Sequence, residues 1–145
     1  MKEKIDANTI RTTDKLIVLS ENRSKITFVN DGQVEIRKIK IDGGVITEGE
    51  RCDWLIIPPS NIEYFVELKG ADVKKAFDQL KRSIGLCCVD KNGVMYAFII
   101  STKCPLNDSQ LSNLKKKMRR VYSSCTLERQ KPHCKYNLIT NKFSF

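Results

Sequence analysis

Long apolar runs are missing from this chain. The longest are Trp54–Ile57 and Val94–Ile100, whereas a membrane-spanning helix needs about 20 apolar residues. No membrane partner is therefore expected. The opening Met1-Lys-Glu-Lys-Ile leads into no apolar stretch, so a secretory signal is not expected and the cytoplasm is the expected compartment. No glycine-rich loop of the nucleotide-binding kind occurs. There is one histidine, His133, and one tryptophan, Trp54. His133 has no visible partner to orient it as a general base. The six cysteines form no C-x-x-C pair, and in a cytosolic chain they read as reduced and mostly buried. Cys104, Cys125, His133 and Cys134 offer zinc-type ligands, but their spacing matches no standard zinc pattern.

Acidic residues are scarce in one half only. Residues 1–70 hold 11 Lys/Arg and 12 Asp/Glu, while residues 71–145 hold 15 and 5. The overall net charge of +9 thus belongs almost wholly to the second half. That asymmetry points to a surface facing a polyanion, against the plainer reading of a solvated basic face.

With 145 residues, 41% of them hydrophobic and 30% charged, the chain has the size and composition of a single domain over 1–145. Residues 8–20 read either as a short helix or as a strand through Leu16–Leu19. Lys25–Asn30 reads as a strand, and Asp31-Gly32 as a hairpin turn into Val34–Asp42, whose alternation slips phase near Arg37-Lys38 as if at a bulge. Cys52–Ile57 and Glu63–Lys69 read as strands joined through Pro58-Pro59-Ser60-Asn61-Ile62, with both faces covered. Ala71–Ile84 reads as a helix that buries Val73, Ala76, Phe77, Leu80 and Ile84 and ends at Gly85. Leu86–Val89 and Val94–Ser101 follow as strands, the second central. A helix capped at Asn107-Asp108-Ser109 then runs to Val121 with Leu111, Leu114, Met118 and Val121 inward, and Tyr136–Thr140 adds an edge strand. This order predicts an α/β fold, a mixed central sheet flanked by helices.

The chemistry concentrates between Arg51 and Gly70. A hairpin centred on Ser60 sets Asp53 opposite Glu67, with the two Cβ atoms about 4.5–5.5 Å apart. Two carboxylates so close repel unless a cation lies between them. Lys69, two residues beyond Glu67, projects from the same face. Magnesium prefers such hard oxygen ligands, and the Leu68 carbonyl is a further candidate. An acid–acid–lysine triangle of this kind suits phosphodiester hydrolysis. Trp54 points to the other face and is expected to pack in the core. On the later helix, Lys115, Lys116, Lys117, Arg119 and Arg120 form a cationic run, with Lys74 on the earlier one, and all are candidates for phosphate contact.

Asp53-x13-Glu67-x-Lys69, with the aspartate leading one apolar strand and Glu-Leu-Lys closing the next, resembles the PD-(D/E)XK superfamily of nucleases. The resemblance covers residues 51–84, and beyond them only the order of elements. It implies a restriction-endonuclease-like core, Mg²⁺ (or Mn²⁺) at Asp53 and Glu67, and a catalytic Lys69. Gln79 matches a glutamine that several branches carry on the next helix. The motif's proline is replaced by Cys52. A tyrosine found in some branches falls on Ser83 and is absent. Many members have a further glutamate on an early helix, for which Glu21 is the first candidate, with Glu35, Glu48 and Glu50 as rivals. The implied activity is a DNA endonuclease in restriction or phage defence. It would act as a homodimer, with a larger defence-system protein as a further partner. Holliday junction resolution, a catalytically inactive DNA-binding module and a regulatory subunit are the alternatives.

Overall fold

A computed structural model describes all residues, Met1–Phe145. The elements run α1 (Lys2–Ala7), β1 (Thr9–Thr12), β2 (Leu16–Glu21), β3 (Ser24–Val29), β4 (Ile36–Lys40), β5 (Trp54–Ile57), β6 (Glu63–Lys69), α2 (Val73–Cys87), β7 (Met95–Ser101), α3 (Asp108–Val121), β8 (Cys125–Gln130), β9 (Cys134–Asn137) and β10 (Lys142–Ser144). Six strands form the main sheet in the order β1-β4-β5-β6-β7-β8. It is mixed: β1 to β6 pair antiparallel, whereas β6, β7 and β8 are parallel. Four strands form a second sheet, β10-β9-β3-β2. The class is α/β, as expected. No helix is long and apolar enough to cross a membrane.

Helices cover only one face of the main sheet. Leu55, Phe65, Ala97 and Ile99 on that face pack with Phe77, Leu80, Ile84, Leu114 and Met118 of the helices. On the opposite face, Ile56, Tyr64, Val66, Phe98 and Ile100 pack with Ile17, Leu19, Ile26 and Phe28 of the small sheet. This second layer explains why β5 and β6 are apolar on both faces. It also removes the bulge expected near Arg37-Lys38. The pairing of β4 is continuous on both sides. Ile36 simply faces the small sheet while Ile39 faces the helices.

Several expected connections differ. Residues 8–20 hold two strands, and α1 precedes them. Asp31-Gly32 is not a hairpin turn, because β3 and β4 belong to different sheets. The hairpin is β2–β3, closed by Asn22-Arg23, with Asn22 at φ +53°. Asparagine tolerates that left-handed backbone well. Helix α2 continues through Gly85 to Cys87, so Leu86–Val89 is not a strand. Gly85 serves close approach instead of termination: a Cβ there would lie 2.7 Å from the Tyr122 hydroxyl, which donates to the Lys81 carbonyl at 3.0 Å. Helix α3 has the expected Asn107 cap, with a reciprocal bond pair to Gln110, but Val121 at its end is exposed. The expected strand near Tyr136 is β9. It lies inside the small sheet, between β3 and β10, not at an edge.

Candidate functional site

The β5–β6 hairpin has the register expected from its prolines, with Trp54 opposite Val66, Leu55 opposite Phe65 and Ile56 opposite Tyr64. Beyond Trp54 the ladder slips by one residue, the Asp53 N–H donating at 3.1 Å to the carbonyl of Val66, which already stands opposite Trp54. Asp53 and Glu67 still meet at one end of the main sheet, where the charge of Glu67 acts on Asp53. Glu67 shares the helix-side face with Phe65, two residues before it on β6. Asp53 and Glu67 are both more than nine-tenths buried, at 7% and 2% exposure. Asp53 Oδ2 accepts from the Leu68 N–H at 2.8 Å. Since N–H and C=O of one strand residue point to the same side, the Leu68 carbonyl also leaves towards Asp53. Lys69 Nζ sits 3.3 Å from Glu67 Oε2, and Glu67 Oε1 is buried with no partner.

The remaining glutamate candidates separate cleanly. Glu21, exposed at the end of β2 on the side of the inward Ile17 and Leu19, brings its carboxyl to Asp53. Glu35 instead pairs with Arg11 on the surface at 2.9 Å. Glu48 and Glu50 are exposed, and their carbonyls accept from Arg82. The acid that meets Asp53 thus comes from a β-hairpin of the second sheet, not from an early helix.

Three carboxyl groups crowded in this way hold their protons. The hydrogen bond with Asp53, then burial, pushes Glu21 up to about 7. Burial and then the charge of Glu67 push Asp53 up to about 7. Burial likewise raises Glu67 to about 7, against the lowering pull of Lys69. The three titrate as one coupled set near neutrality.

Helix α2 backs the site. The Cys52 N–H donates to Ser83 Oγ at 2.7 Å, a bond buried in the core. A proline at position 52 would lack that N–H. Ser83 and Cys52 together fix the chain just before Asp53. Gln79 stands one turn before Ser83 on the same helix face. Its Oε1 is buried and unpartnered, like that of Glu67.

The cationic run is placed elsewhere. Strands β6 and β7 end together, with Lys69 beside Ser101. Helix α3 then runs back along β7, so that Tyr122 to Cys125 lie at its start, beside Met95. Arg119 and Arg120 therefore stand towards the start of β7. Lys115 pairs with Glu128 at 3.9 Å, and Lys116 and Lys117 are exposed. Lys74, in the first turn of α2, follows directly on β6 at the end that holds the acids, whereas the α3 cations stand over β8, two strands away. Trp54 is half-buried on the small-sheet side, with Lys38 Nζ 4.7 Å from its ring centre.

Sequence reasoning missed Arg23, Ser24, Thr102 and Lys103. Ser24 Oγ donates to the Lys69 carbonyl at 2.7 Å. Thr102 Oγ1 and the Lys103 N–H both donate to the Gly70 carbonyl, at 2.6 and 2.9 Å. The signal that points to them is general: ligands of open α/β sheets gather beyond the carboxyl ends of the parallel strands.

Whether the donors fit a metal ion follows from their chemistry. No three His, Cys, Asp or Glu side chains converge to cage an ion by themselves. Cys125 and Cys134, from the zinc-type set, lie on opposite sides of the main sheet. Magnesium needs less than a full cage, since it keeps several waters and takes one or two carboxylates. An unpartnered Glu67 oxygen beside Asp53, on carboxyls whose protons a cation can displace, fits that demand. In comparisons with known proteins, no family model, no curated protein and no solved structure matches the chain.

Proposed function

We propose that this chain is a magnesium-dependent nuclease of the PD-(D/E)XK kind, with a restriction-endonuclease-like core, acting on DNA. The observation that carries the reading is the buried Asp53–Glu67 pair, with an unsatisfied Glu67 oxygen and Lys69 beside it. Asp53, Glu67 and the Leu68 carbonyl would hold Mg²⁺ or Mn²⁺. When bound, such an ion polarises a phosphate oxygen and acidifies an attacking water. Lys69 orients that water and offsets the charge that develops on the phosphoryl oxygens. Glu21 takes up or releases a proton at Asp53 as the site fills. Gln79 supplies an amide from the α2 side. Endonucleolytic cutting, a homodimer and a role in restriction or phage defence, or in junction resolution, belong to the same proposal by analogy with the superfamily.

The test is plasmid cleavage in Mg²⁺, Mn²⁺ and EDTA by wild type, Asp53→Ala and Lys69→Ala. Cutting that requires the metal, and a loss of at least about 100-fold in either variant, is expected from the size of single electrostatic contributions to catalysis. Cutting in EDTA, or variants as active as wild type, would remove the proposal. The lack of a three-ligand cage favours one second reading, a nuclease-fold module that binds DNA without cutting it. Such a protein binds equally well with and without Mg²⁺.

A further inference from the structure

A cleft of about 210 Å³ opens beside the acids, between the tip of the β2–β3 hairpin and the ends of β6 and β7. Glu21, Arg23, Ser24, Lys69, Gly70 and Thr102 line it. Its two walls are tied to the strand that carries Glu67: Ser24 bonds the Lys69 carbonyl on one side, and Thr102 and Lys103 bond the Gly70 carbonyl on the other. Arg23 and Lys103 are exposed, and neither takes part in any of the four salt bridges of the molecule. Lys69, Arg11, Arg51 and Lys115 are all paired in those bridges. Arginine and lysine held open beside a phosphodiester site, with no internal anion, are free to neutralise phosphates.

We infer that the cleft lined by Arg23, with Lys103 next to its Thr102 wall, seats the phosphates of the DNA strand next to the one being cut, and that the cationic run on α3 does not. The inference rests on the nuclease reading for its substrate but on separate residues for its contacts. The hairpin serves both roles, since Glu21 and Arg23 flank Asn22 at its turn. Both are exposed, the acid directed to Asp53 and the base left without an internal partner. The α3 cations stand over β8, two strands across the sheet from the β6 that lines the cleft, with Lys115 tied to Glu128 there.

The experiment is fluorescence anisotropy with a labelled 20-base-pair DNA duplex in EDTA, at several salt concentrations, beside cleavage of the same duplex in Mg²⁺. The proteins are wild type, R23E/K103E, the conservative R23K/K103R, and K116E/K117E. For R23E/K103E we expect at least a tenfold loss of affinity, and a log–log salt slope shallower by about 1.8 for two lost phosphate contacts. R23K/K103R retains wild-type binding, which separates loss of charge from loss of fold. K116E/K117E binds within about threefold of wild type. An R23E/K103E protein that binds as wild type does, a K116E/K117E protein that loses as much, or a wild type that binds no duplex overturns the inference. A wild type that binds through Arg23 and Lys103 but never cuts leaves the cleft standing and removes the nuclease. A wild type that cuts while R23E/K103E binds normally does the reverse.

Discussion

At the scale of single residues, the site is defined by protons that have nowhere else to go. Glu21, Asp53 and Glu67 keep carboxyl protons up to about pH 7, well above the ordinary carboxylate range. Between about pH 4 and 7 the folded chain therefore binds more protons than the unfolded chain does. Stability of the metal-free protein must fall as pH rises through that window and level off above it. Thermal melts in EDTA from pH 5 to 8 are expected to show this decline, and Asp53→Asn to flatten it. Adding magnesium reverses the trend, because the ion competes with those protons. Its stabilising shift is predicted to be larger at pH 8 than at pH 6, reaching about 2.7 kcal/mol at a hundredfold excess over its dissociation constant. A shift independent of pH would mean that the ion binds elsewhere. By the same sign, cleavage should rise between pH 6 and 8, and a pH–rate profile on plasmid DNA reads it directly.

At the scale of elements, one bond connects helix to site. Ser83 Oγ is the only partner found for the Cys52 N–H, and both residues are buried. Ser83→Ala leaves that N–H unsatisfied, at a cost of about 1–3 kcal/mol. Urea unfolding is expected to show that loss, with the catalytic rate of the folded fraction reduced because Asp53 is less firmly held. Gly44 makes a second, independent case. A Cβ there would collide with the Lys40 carbonyl oxygen, which is backbone and cannot give way. Gly44→Ala should therefore cost about 1–3 kcal/mol by overpacking. What could be read from the sequence follows the range of the contacts involved. The β5–β6 register was legible because two prolines and two apolar runs fix it within 17 residues. The Asn107 cap was legible for the same reason. The small sheet was not: its parallel β3–β9 pairing joins Ile26 to Cys134, and no local period records such a partner. That omission produced the false hairpin at Asp31-Gly32 and the bulge assigned to β4. Gly85 misled because the group that leaves no room for a Cβ there is the Tyr122 hydroxyl, far along the chain. Glu21 could be named as a candidate, but its arrival beside Asp53 depends on two sheets meeting.

At the scale of the whole molecule, the two cores carry different duties. The core between the sheets holds Phe28, Tyr64, Phe98 and Tyr136, with ring centres 5.0–6.2 Å apart. It fixes the small sheet, and with it the hairpin bearing Glu21 and Arg23, onto the strands bearing Asp53 and Glu67. The core on the helix side holds α3, which reaches none of these groups. Phe28→Ala and Met118→Ala should both destabilise, by about 3–5 and 2–5 kcal/mol respectively, large losses for a domain stable by about 5–15 kcal/mol. Only the first is predicted to weaken the coupling between magnesium and the three acids. In Phe28→Ala, the loosened hairpin lets Glu21 drift from Asp53, so the magnesium-induced shift in melting temperature loses its dependence on pH. In Met118→Ala, the shift keeps the wild-type pH dependence on a lower baseline. Equal effects of the two substitutions on that dependence would show that the second sheet adds stability alone and takes no part in the site.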